Sequence, residues 1–277
     1  MIRMSDMGVS ALFIYPLLIL SVTGTNSGQD ADPSDRDWAS NVIYRYRNKQ
    51  ASKLSDQKCE RGMGDDVTKW YPPYLIVANN RISKRLLCDT QTDGGGWIVI
   101  QRRFKGDTDF FRNWTEYRDG FGCLDGDFWL GNEAIHNLTN EHRYELRIDA
   151  RWKGRKEFAG YNRFKLENED NMYRLQLGYY VGTLGEEGQH TGLSYSRGQN
   201  FSTFDRDNDN SEDRNCAVYM QGAWWYNACH RTNLNGQWGL ATFRGVSWSG
   251  VGQQWWHNFK FLYFTEMKIR KMPSPRS

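Results

Sequence analysis

Short runs of alternating apolar and polar residues, separated by glycine-rich turns, limit the possible folds of this chain more than any other feature. The sequence has 27 glycines in 277 residues, and so many glycines favour turns over long helices. The alternation predicts strands with one buried face in Trp97–Gln101, Tyr144–Ala150, Tyr173–Tyr179 and Phe261–Arg270. Helical spacing predicts two short helices, Trp114–Arg118 and Asn132–Leu138. The chain is therefore expected to be rich in strands.

The N-terminal residues have the pattern of a secretory signal peptide. Arg3 precedes the apolar stretch Val9–Val22, and its continuous apolar part, Ala11–Leu20, is too short to span a bilayer. We expect residues 1–24 to be a signal peptide and residues 25–58 to be a polar and basic leader. The protein is then secreted, without a membrane span.

Cysteine and asparagine patterns agree with export to an oxidising compartment. Four of five cysteines can pair there and one is left over, but spacing alone does not fix the pairs. The cysteines are Cys59, Cys88, Cys123, Cys216 and Cys229. Three Asn-x-Ser/Thr sequons, which are acceptors for N-linked glycans, begin at Asn113, Asn137 and Asn200.

Charge and catalytic patterns exclude several functions. A net charge of +3 gives no case for a nucleic-acid or anionic-membrane partner, and the basic run Arg151–Lys156 (RWKGRK) is expected to be a solvated hairpin. Gly245–Ser249 and Gly192–Ser196 resemble a nucleophile elbow but have Ser where its second Gly belongs. The five histidines include no zinc-ligand spacing. A secreted hydrolase is therefore the least supported class, and we expect a binding protein rather than an enzyme.

Two segments in the C-terminal part carry residue types that bind ligands. Asp205–Asp209 (DRDND) alternates carboxylates, which Ca²⁺ would stabilise, whereas a solvated acidic turn is the alternative. The segment is not an EF-hand, because Asn210 and Cys216 occupy positions that need Gly and Glu. Gly222–His230 (GAWWYNACH) could line a sugar or acetyl pocket, although core packing of its aromatic residues is favoured from the segment alone.

Ordered blocks along the chain resemble the fibrinogen C-terminal domain. They are Cys88–Arg103, Gly120–Asn132, Phe201–Asp209, Asn215–Ala217, Gly222–Tyr226, Asn233–Gly236 and Thr265–Arg270. The resemblance covers about Cys59–Met272 and is strongest to invertebrate, especially molluscan, fibrinogen-related lectins, with ficolins and tachylectins more distant. It implies an α+β domain over residues 59–275. Such a domain has a mixed or antiparallel sheet, short helices, and a loop-rich lobe that binds calcium and ligand.

The resemblance also implies how the cysteines pair. Cys59 is expected to bond to Cys88, and Cys216 to Cys229. Cys123 is then left over in a glycine-rich turn where burial is not expected. An exposed thiol in a secreted protein suggests an intermolecular bridge, for example to a second copy in a homo-oligomer. A buried free thiol, or a bond to another partner, is the alternative.

A calcium site is a further implication of the resemblance. The cation is expected on the side chains of Asp207 and Asp209 and on the backbone carbonyls of Ser211 and Asp213.

An acetyl-group pocket is implied next to the calcium. It is expected to centre on Cys229 and His230, after a cis Ala228–Cys229 bond, with the His230 side chain hydrogen-bonded to the ligand. Its apolar walls are expected from Trp225, from Phe243 and from either Tyr219 or Met220.

These implications lead to one functional hypothesis and one alternative. The hypothesis is a secreted, calcium-dependent, lectin-like pattern-recognition protein that binds acetylated carbohydrate or similar microbial surface groups in innate defence. The alternative is a receptor- or matrix-binding signalling protein of the angiopoietin-like kind, which would use the same lobe for a protein partner.

Overall fold

The last strand that the structure describes along the chain lies at the centre of the main β-sheet. The computed structural model describes residues 74–76, 83–186, 190–249 and 259–273, so the predicted signal peptide, the leader and Cys59 lie outside the described residues. Within these ranges, nine strands form one sheet in which every pairing is antiparallel. The expected α+β class, with an antiparallel sheet and few, short helices, is confirmed.

The strands and helices are short, as the turn-rich sequence predicts. The strands are β1 Tyr74–Ile76, β2 Ser83–Arg85, β3 Leu87–Asp89, β4 Trp97–Arg103, β5 Phe121–Gly122, β6 Phe128–Trp129, β7 Tyr144–Trp152, β8 Arg155–Leu166, β9 Leu175–Leu177, β10 Tyr180–Gly182, β11 Thr232–Asn233, β12 Ser247–Ser249, β13 Phe259–Phe261 and β14 Phe264–Lys271. The α-helices are α1 Trp114–Asp119, α2 Asn132–Glu141 and α3 Cys216–Met220. In the described part of the protein, no helix is long and apolar enough to cross a bilayer.

The main sheet has the strand order β10-β8-β7-β14-β4-β6-β5, with β3 on β4 and β9 on β8, and β11, β12 and β13 form a separate sheet. Strand β14 joins the two halves of the main sheet, because Met267 lies opposite both Ile148 of β7 and Gln101 of β4. Side chains alternate along a strand, so Met267 and Ile269 enter the core while Lys268 points to the other face.

The structure corrects one predicted strand and adds a long strand that was not predicted. The single strand expected over Phe261–Arg270 is interrupted, because the Leu262 N–H leaves the sheet and donates to the Val246 carbonyl at 2.9 Å. The longest described strand, β8, was not predicted from the sequence. Tyr161 and Phe164 both enter the core although they are three positions apart, so the alternation that reveals a strand is broken.

Aromatic side chains attach the loop-rich lobe to the sheet. The Trp225 ring is fully buried, and its centroid lies 6.2 Å from that of Trp129 and 5.3 Å from that of Phe201. Its indole N–H donates to the Tyr173 carbonyl at 2.9 Å. Large rings packed in this way bury much apolar area and satisfy their polar atoms, so the lobe is held on the core.

The other face of β14 carries a buried cluster of charges. Lys268 is 2% exposed, and its ammonium lies 2.5 Å from Asp89, 2.6 Å from Asp149 and 3.1 Å from Glu266. Burial would lower the pKa of Lys268, but the carboxylates outweigh burial and raise it. Burial would likewise raise the pKa of Asp89, but Lys268 lowers it to about 2. The carboxylates are close enough together to hold a metal ion, and Lys268 supplies the positive charge instead.

We predict that Lys268→Met lowers the free energy of unfolding by about 3–5 kcal/mol. Methionine keeps much of the lysine volume but leaves Asp89, Asp149 and Glu266 without their shared cation. Urea denaturation of wild type and variant measures the difference, with Lys165→Met, at a half-buried position on β8, as the control. A loss below about 1 kcal/mol, the range of an exposed ion pair, would contradict a role for Lys268 in holding the cluster together.

Candidate functional site

The acidic loop, Asp205–Asp213, is anchored to the core by some of its polar side chains. Asp205 accepts the Trp114 N–H at 2.9 Å. The Asn208 side-chain amide donates to the Phe201 carbonyl at 2.8 Å. These two residues therefore have structural roles and fix the loop against the aromatic core.

Asp207 and Asp209 lie close together in this loop. Asp209 accepts the N–H groups of Ser211 and Cys216, each at 2.8 Å, and Asp207 accepts the Asp209 N–H at 3.3 Å. Burial raises the pKa of Asp209 to about 6; the N–H groups oppose this rise and the Asp207 carboxylate adds to it. Ionising both carboxylates is therefore costly unless a cation joins them.

The predicted calcium ligands form a donor set that fits a hard cation. The neighbouring arginines pair with carboxylates other than Asp207 and Asp209, since Arg206 lies 3.7 Å from Glu169 and Arg214 lies 3.1 Å from Asp213. Among the residues that the structure describes, neither Asp207 nor Asp209 has an ion-pair partner. The carbonyls of Ser211 and Asp213 accept no hydrogen bond there. Carboxylate and carbonyl oxygens are the ligands that Ca²⁺ prefers.

Two connections join the acidic loop to the predicted pocket. Cys216, whose N–H donates to Asp209, forms a disulfide with Cys229, which is the pairing that the resemblance implies. In parallel, Asn210 donates its N–H and its side-chain amide to Asn227, at 3.1 and 3.0 Å. The Asn227 N–H in turn donates to the Cys229 carbonyl at 2.7 Å. The position of Asp209 is therefore coupled to that of Cys229.

The backbone at the centre of the predicted pocket offers two hydrogen-bond donors. The Ala228–Cys229 peptide bond is cis, as the resemblance implies. The backbone N–H groups of Cys229 and His230 donate to no acceptor within the described ranges. Neighbouring N–H groups that lack a protein partner can bind one carbonyl or carboxylate oxygen of a ligand.

The His230 side chain supports the pocket instead of lining it. His230 is 4% exposed, its Nε2–H donates to the Phe243 carbonyl at 2.8 Å, and its Nδ1 is buried. Burial lowers the pKa of His230 to about 4, although the bond to Phe243 opposes this effect. The prediction that this side chain bonds the ligand is corrected, because its donor holds the loop at Phe243.

A stacked aromatic pair, half-buried Tyr219 and exposed Phe243, lies where the predicted walls were expected. The rings of Tyr219 and Phe243 are stacked, with centroids 6.0 Å apart, and Phe243 is 41% exposed. The guanidinium groups of Arg214 and Arg244 each lie 4.9 Å from the Tyr219 ring centroid. Neither arginine was predicted from the sequence, because the two come from distant segments and share no local pattern. The resulting surface is aromatic with a positive rim.

Two predicted walls are core residues. Trp225 and Met220 are 0% and 7% exposed and belong to the main apolar cluster. The whole segment Ala223–Tyr226 is buried, so its aromatic residues serve packing. The predictions that Trp225 and Met220 line the pocket are therefore corrected.

The sequon asparagines differ in how their side chains are used. Asn113 caps helix α1 by accepting the Glu116 N–H at 2.9 Å. Asn137 lies inside α2, where its amide donates to the Glu133 carbonyl at 2.8 Å. Asn200 makes no side-chain hydrogen bond with the described residues and is half-buried, which leaves its amide the most available of the three. Glycosylation at each stays a prediction.

The remaining cysteines agree with the expected arrangement as far as the structure describes it. Cys88 is disulfide-bonded, and its predicted partner, Cys59, lies outside the described residues. Cys123 is free and exposed, in a turn where its carbonyl accepts the Gly126 N–H at 2.8 Å. An intermolecular bond through Cys123 stays a prediction.

We predict that the protein loses stability as the pH falls from 6.5 to 4, because protonation of His230 favours the unfolded state. An unfolded histidine titrates near 6.5, whereas the buried ring has a pKa of about 4, so the unfolded state binds more protons in this range. The contribution of His230 to the free energy of unfolding is fully present above pH 6.5. It is lost, by up to about 3 kcal/mol, as the pH falls through 4. Thermal melts of wild type and His230→Gln measure it. If the melting temperature changes with pH by the same amount in the two proteins, the prediction is wrong.

Comparison with known proteins places this fold among fibrinogen-like domains. The family described as "Fibrinogen beta and gamma chains, C-terminal globular domain" matches residues 56–272. Human tenascin-R is 47% identical over 211 residues, which are 75% of this chain and 14% of tenascin-R. Ryncolin-4 from Cerberus rynchops is 41% identical over 217 residues, which are 76% of this chain and 59% of ryncolin-4. The match thus spans only part of each relative, and both relatives are extracellular proteins.

Solved structures agree with the sequence comparison. The fibrinogen-like globe domain of human ANGPTL2 is 40% identical with a TM-score of 0.67, covering 76% of this chain and 95% of that domain. Lamprey fibrin D-dimer, solved with the peptide Gly-His-Arg-Pro-amide, is 29% identical with a TM-score of 0.63, covering 88% of each of the two proteins. The resemblance found in the sequence is thereby confirmed, and this protein belongs to the fibrinogen C-terminal domain family.

Proposed function

We propose that this protein is a secreted, calcium-dependent, lectin-like recognition protein that binds acetylated glycans or similar surface groups in innate defence. The observation that carries the proposal is the pair of unpaired backbone N–H groups at Cys229 and His230, in the described part of the protein, with Tyr219 and Phe243 stacked nearby. This role is binding rather than catalysis, which agrees with a family that is typically non-enzymatic.

An N-acetyl group has both features that this surface would recognise. Its carbonyl oxygen can accept hydrogen bonds from two adjacent N–H groups, and its methyl group can pack on an aromatic ring. Because His230 holds the Phe243 carbonyl at 2.8 Å, the backbone that carries the ring is held in place before a ligand arrives, and the ring itself stacks on Tyr219. A preorganised wall lowers the entropy cost of binding.

The acidic loop would hold the backbone of the pocket in place. When bound, Ca²⁺ would supply the positive charge that balances Asp207 and Asp209. The Cys216 N–H and the Cys216–Cys229 disulfide connect Asp209 to the pocket. Removal of calcium is therefore expected to weaken glycan binding without any contact between metal and sugar.

Replacing one loop carboxylate tests the calcium site. Asp207→Asn keeps an oxygen that can accept the Asp209 N–H but loses the charge, so calcium affinity should fall by about tenfold or more. Calorimetric titration with CaCl₂ measures the affinity, and Asp170→Asn, an exposed position outside the loop, is the control. If the wild type gives no heat and no rise in melting temperature at roughly millimolar calcium, the site does not exist.

Retention on immobilised N-acetylglucosamine tests the ligand class. The wild type should be retained in calcium, released by a chelator, and not retained on immobilised glucose. Phe243→Ala should bind about tenfold more weakly, because it removes the aromatic wall but keeps the carbonyl that His230 holds. Tyr179→Ala, at a position that is 78% exposed elsewhere, is the control. Equal retention of Phe243→Ala and wild type would place the ligand elsewhere.

A protein partner is the second candidate for the same lobe. It is supported by the 47% identity with tenascin-R and by the peptide bound to the lamprey relative. A receptor- or matrix-binding protein of the angiopoietin-like kind would show no retention on N-acetylglucosamine. Calorimetric titration of the calcium-loaded protein with Gly-His-Arg-Pro-amide then provides the contrasting measurement.

A further inference from the structure

The hairpin between β7 and β8 carries a group of exposed cations. Arg151, Lys153, Arg155 and Lys156 are all exposed. Lys153 and Gly154 have φ values of 45° and 75°, and a two-residue type I′ turn needs positive φ at both central positions. A tight β-turn rather than a long loop therefore joins the two strands that carry these cations.

Like charges face each other across this hairpin. Arg151 lies directly opposite Lys156 in the β7–β8 register, where side chains are about 5 Å apart and like charges destabilise the pair. Neither residue forms an ion pair with any described carboxylate. The Arg151 guanidinium instead lies 4.5 Å from the Phe264 ring centroid. A bound anion would relieve this repulsion.

Arg151 and Lys156 line a cavity of about 460 Å³ on the charged face of the main sheet. Each carboxylate that lines this cavity already has a cationic partner. The pairs are Asp89 with Lys268, Asp149 with Arg147, Glu157 with Lys260, and Glu266 with Arg102. The positive charges of Arg151 and Lys156 are therefore left unbalanced, and the cavity favours an anion.

Aromatic rings line the same cavity. Phe104 is 36% exposed, and Phe158 and Phe264 are half-buried. The Arg147 guanidinium lies 4.2 Å from the Phe158 ring centroid. Rings beside cations suit a sugar that carries acidic groups, because the sugar packs on the ring while its acidic group meets the guanidinium or ammonium.

We propose that this cavity and the basic hairpin form a second binding site, for a polysaccharide that carries sulfate or carboxylate groups. Arg151 and Lys156 hold one acidic group at the cavity, and Lys153 and Arg155 meet the next along the polymer. The aromatic lining favours a saccharide over an acidic peptide, and the concave shape favours a single polymer strand over a membrane surface. The site goes beyond the acetylated-glycan function, and binding at it requires no calcium.

Heparin, a sulfated polysaccharide, and hyaluronan, a carboxylated one, are the probes. The full-length protein should bind immobilised heparin, hyaluronan or both at roughly physiological salt, with and without chelator, and higher salt should release it because salt screens exposed charges. The double variant Arg151→Gln, Lys156→Gln should lose about tenfold or more in affinity. The matched control, Arg163→Gln, Lys165→Gln, removes two charges from β8 at positions that do not line the cavity. It should change the affinity by less than about twofold.

Several results would overturn the proposal. These are binding to neither probe above the level seen with neutral dextran, equal losses in the two double variants, or competition by polyglutamate or phosphatidylserine vesicles as strong as by heparin. Retention on N-acetylglucosamine should be unchanged in Arg151→Gln, Lys156→Gln. Because heparin binding is measured with chelator present, its loss and a failure of the calcium-dependent acetyl-group site are separate outcomes.

Discussion

The central position of β14 is the constraint on which the rest of the structure depends. The strand pairs with β7 and β4 at once, so the two halves of the sheet join only when the C-terminal segment is in place. Its alternation sends Met267 and Ile269 into the apolar core and places Lys268 among carboxylates on the other face. The apolar core holds the lobe with the proposed acetyl-group pocket, and the charged face holds the proposed polysaccharide cavity.

Within the lobe, local rigidity comes from few connections. One connection runs from Asp209 through the Cys216 N–H and the disulfide to Cys229. Another runs from buried His230 to the Phe243 carbonyl. Together they place two backbone donors and an exposed ring on a lobe whose aromatic residues, such as Trp225, are buried in the main core. The lobe is therefore held by packing of its aromatic residues, and its surface loops by these local connections.

The sequence predicts the strand-rich class and the longer helices because alternation and helical spacing are properties of neighbouring residues. It fails for β8, where the interval from Tyr161 to Phe164 breaks the alternation. In the site, the Cys216–Cys229 pairing follows from the family resemblance, whereas Trp225 is a core residue despite its closeness in sequence to the pocket. Which side of a loop faces the core is decided by tertiary packing. The local sequence pattern therefore identifies the segment at the pocket but not which of its side chains line the pocket.

The backbone N–H groups of Cys229 and His230 are the proposed ligand donors, and amide NMR observes them directly. In the calcium-loaded protein, titration with N-acetylglucosamine should shift the ¹H–¹⁵N signals of both residues in a saturable way. The shift is expected because the ligand oxygen becomes the acceptor that neither group has among the described residues. If the protein binds the sugar while these two signals stay unchanged, the donors lie elsewhere and the central claim is wrong.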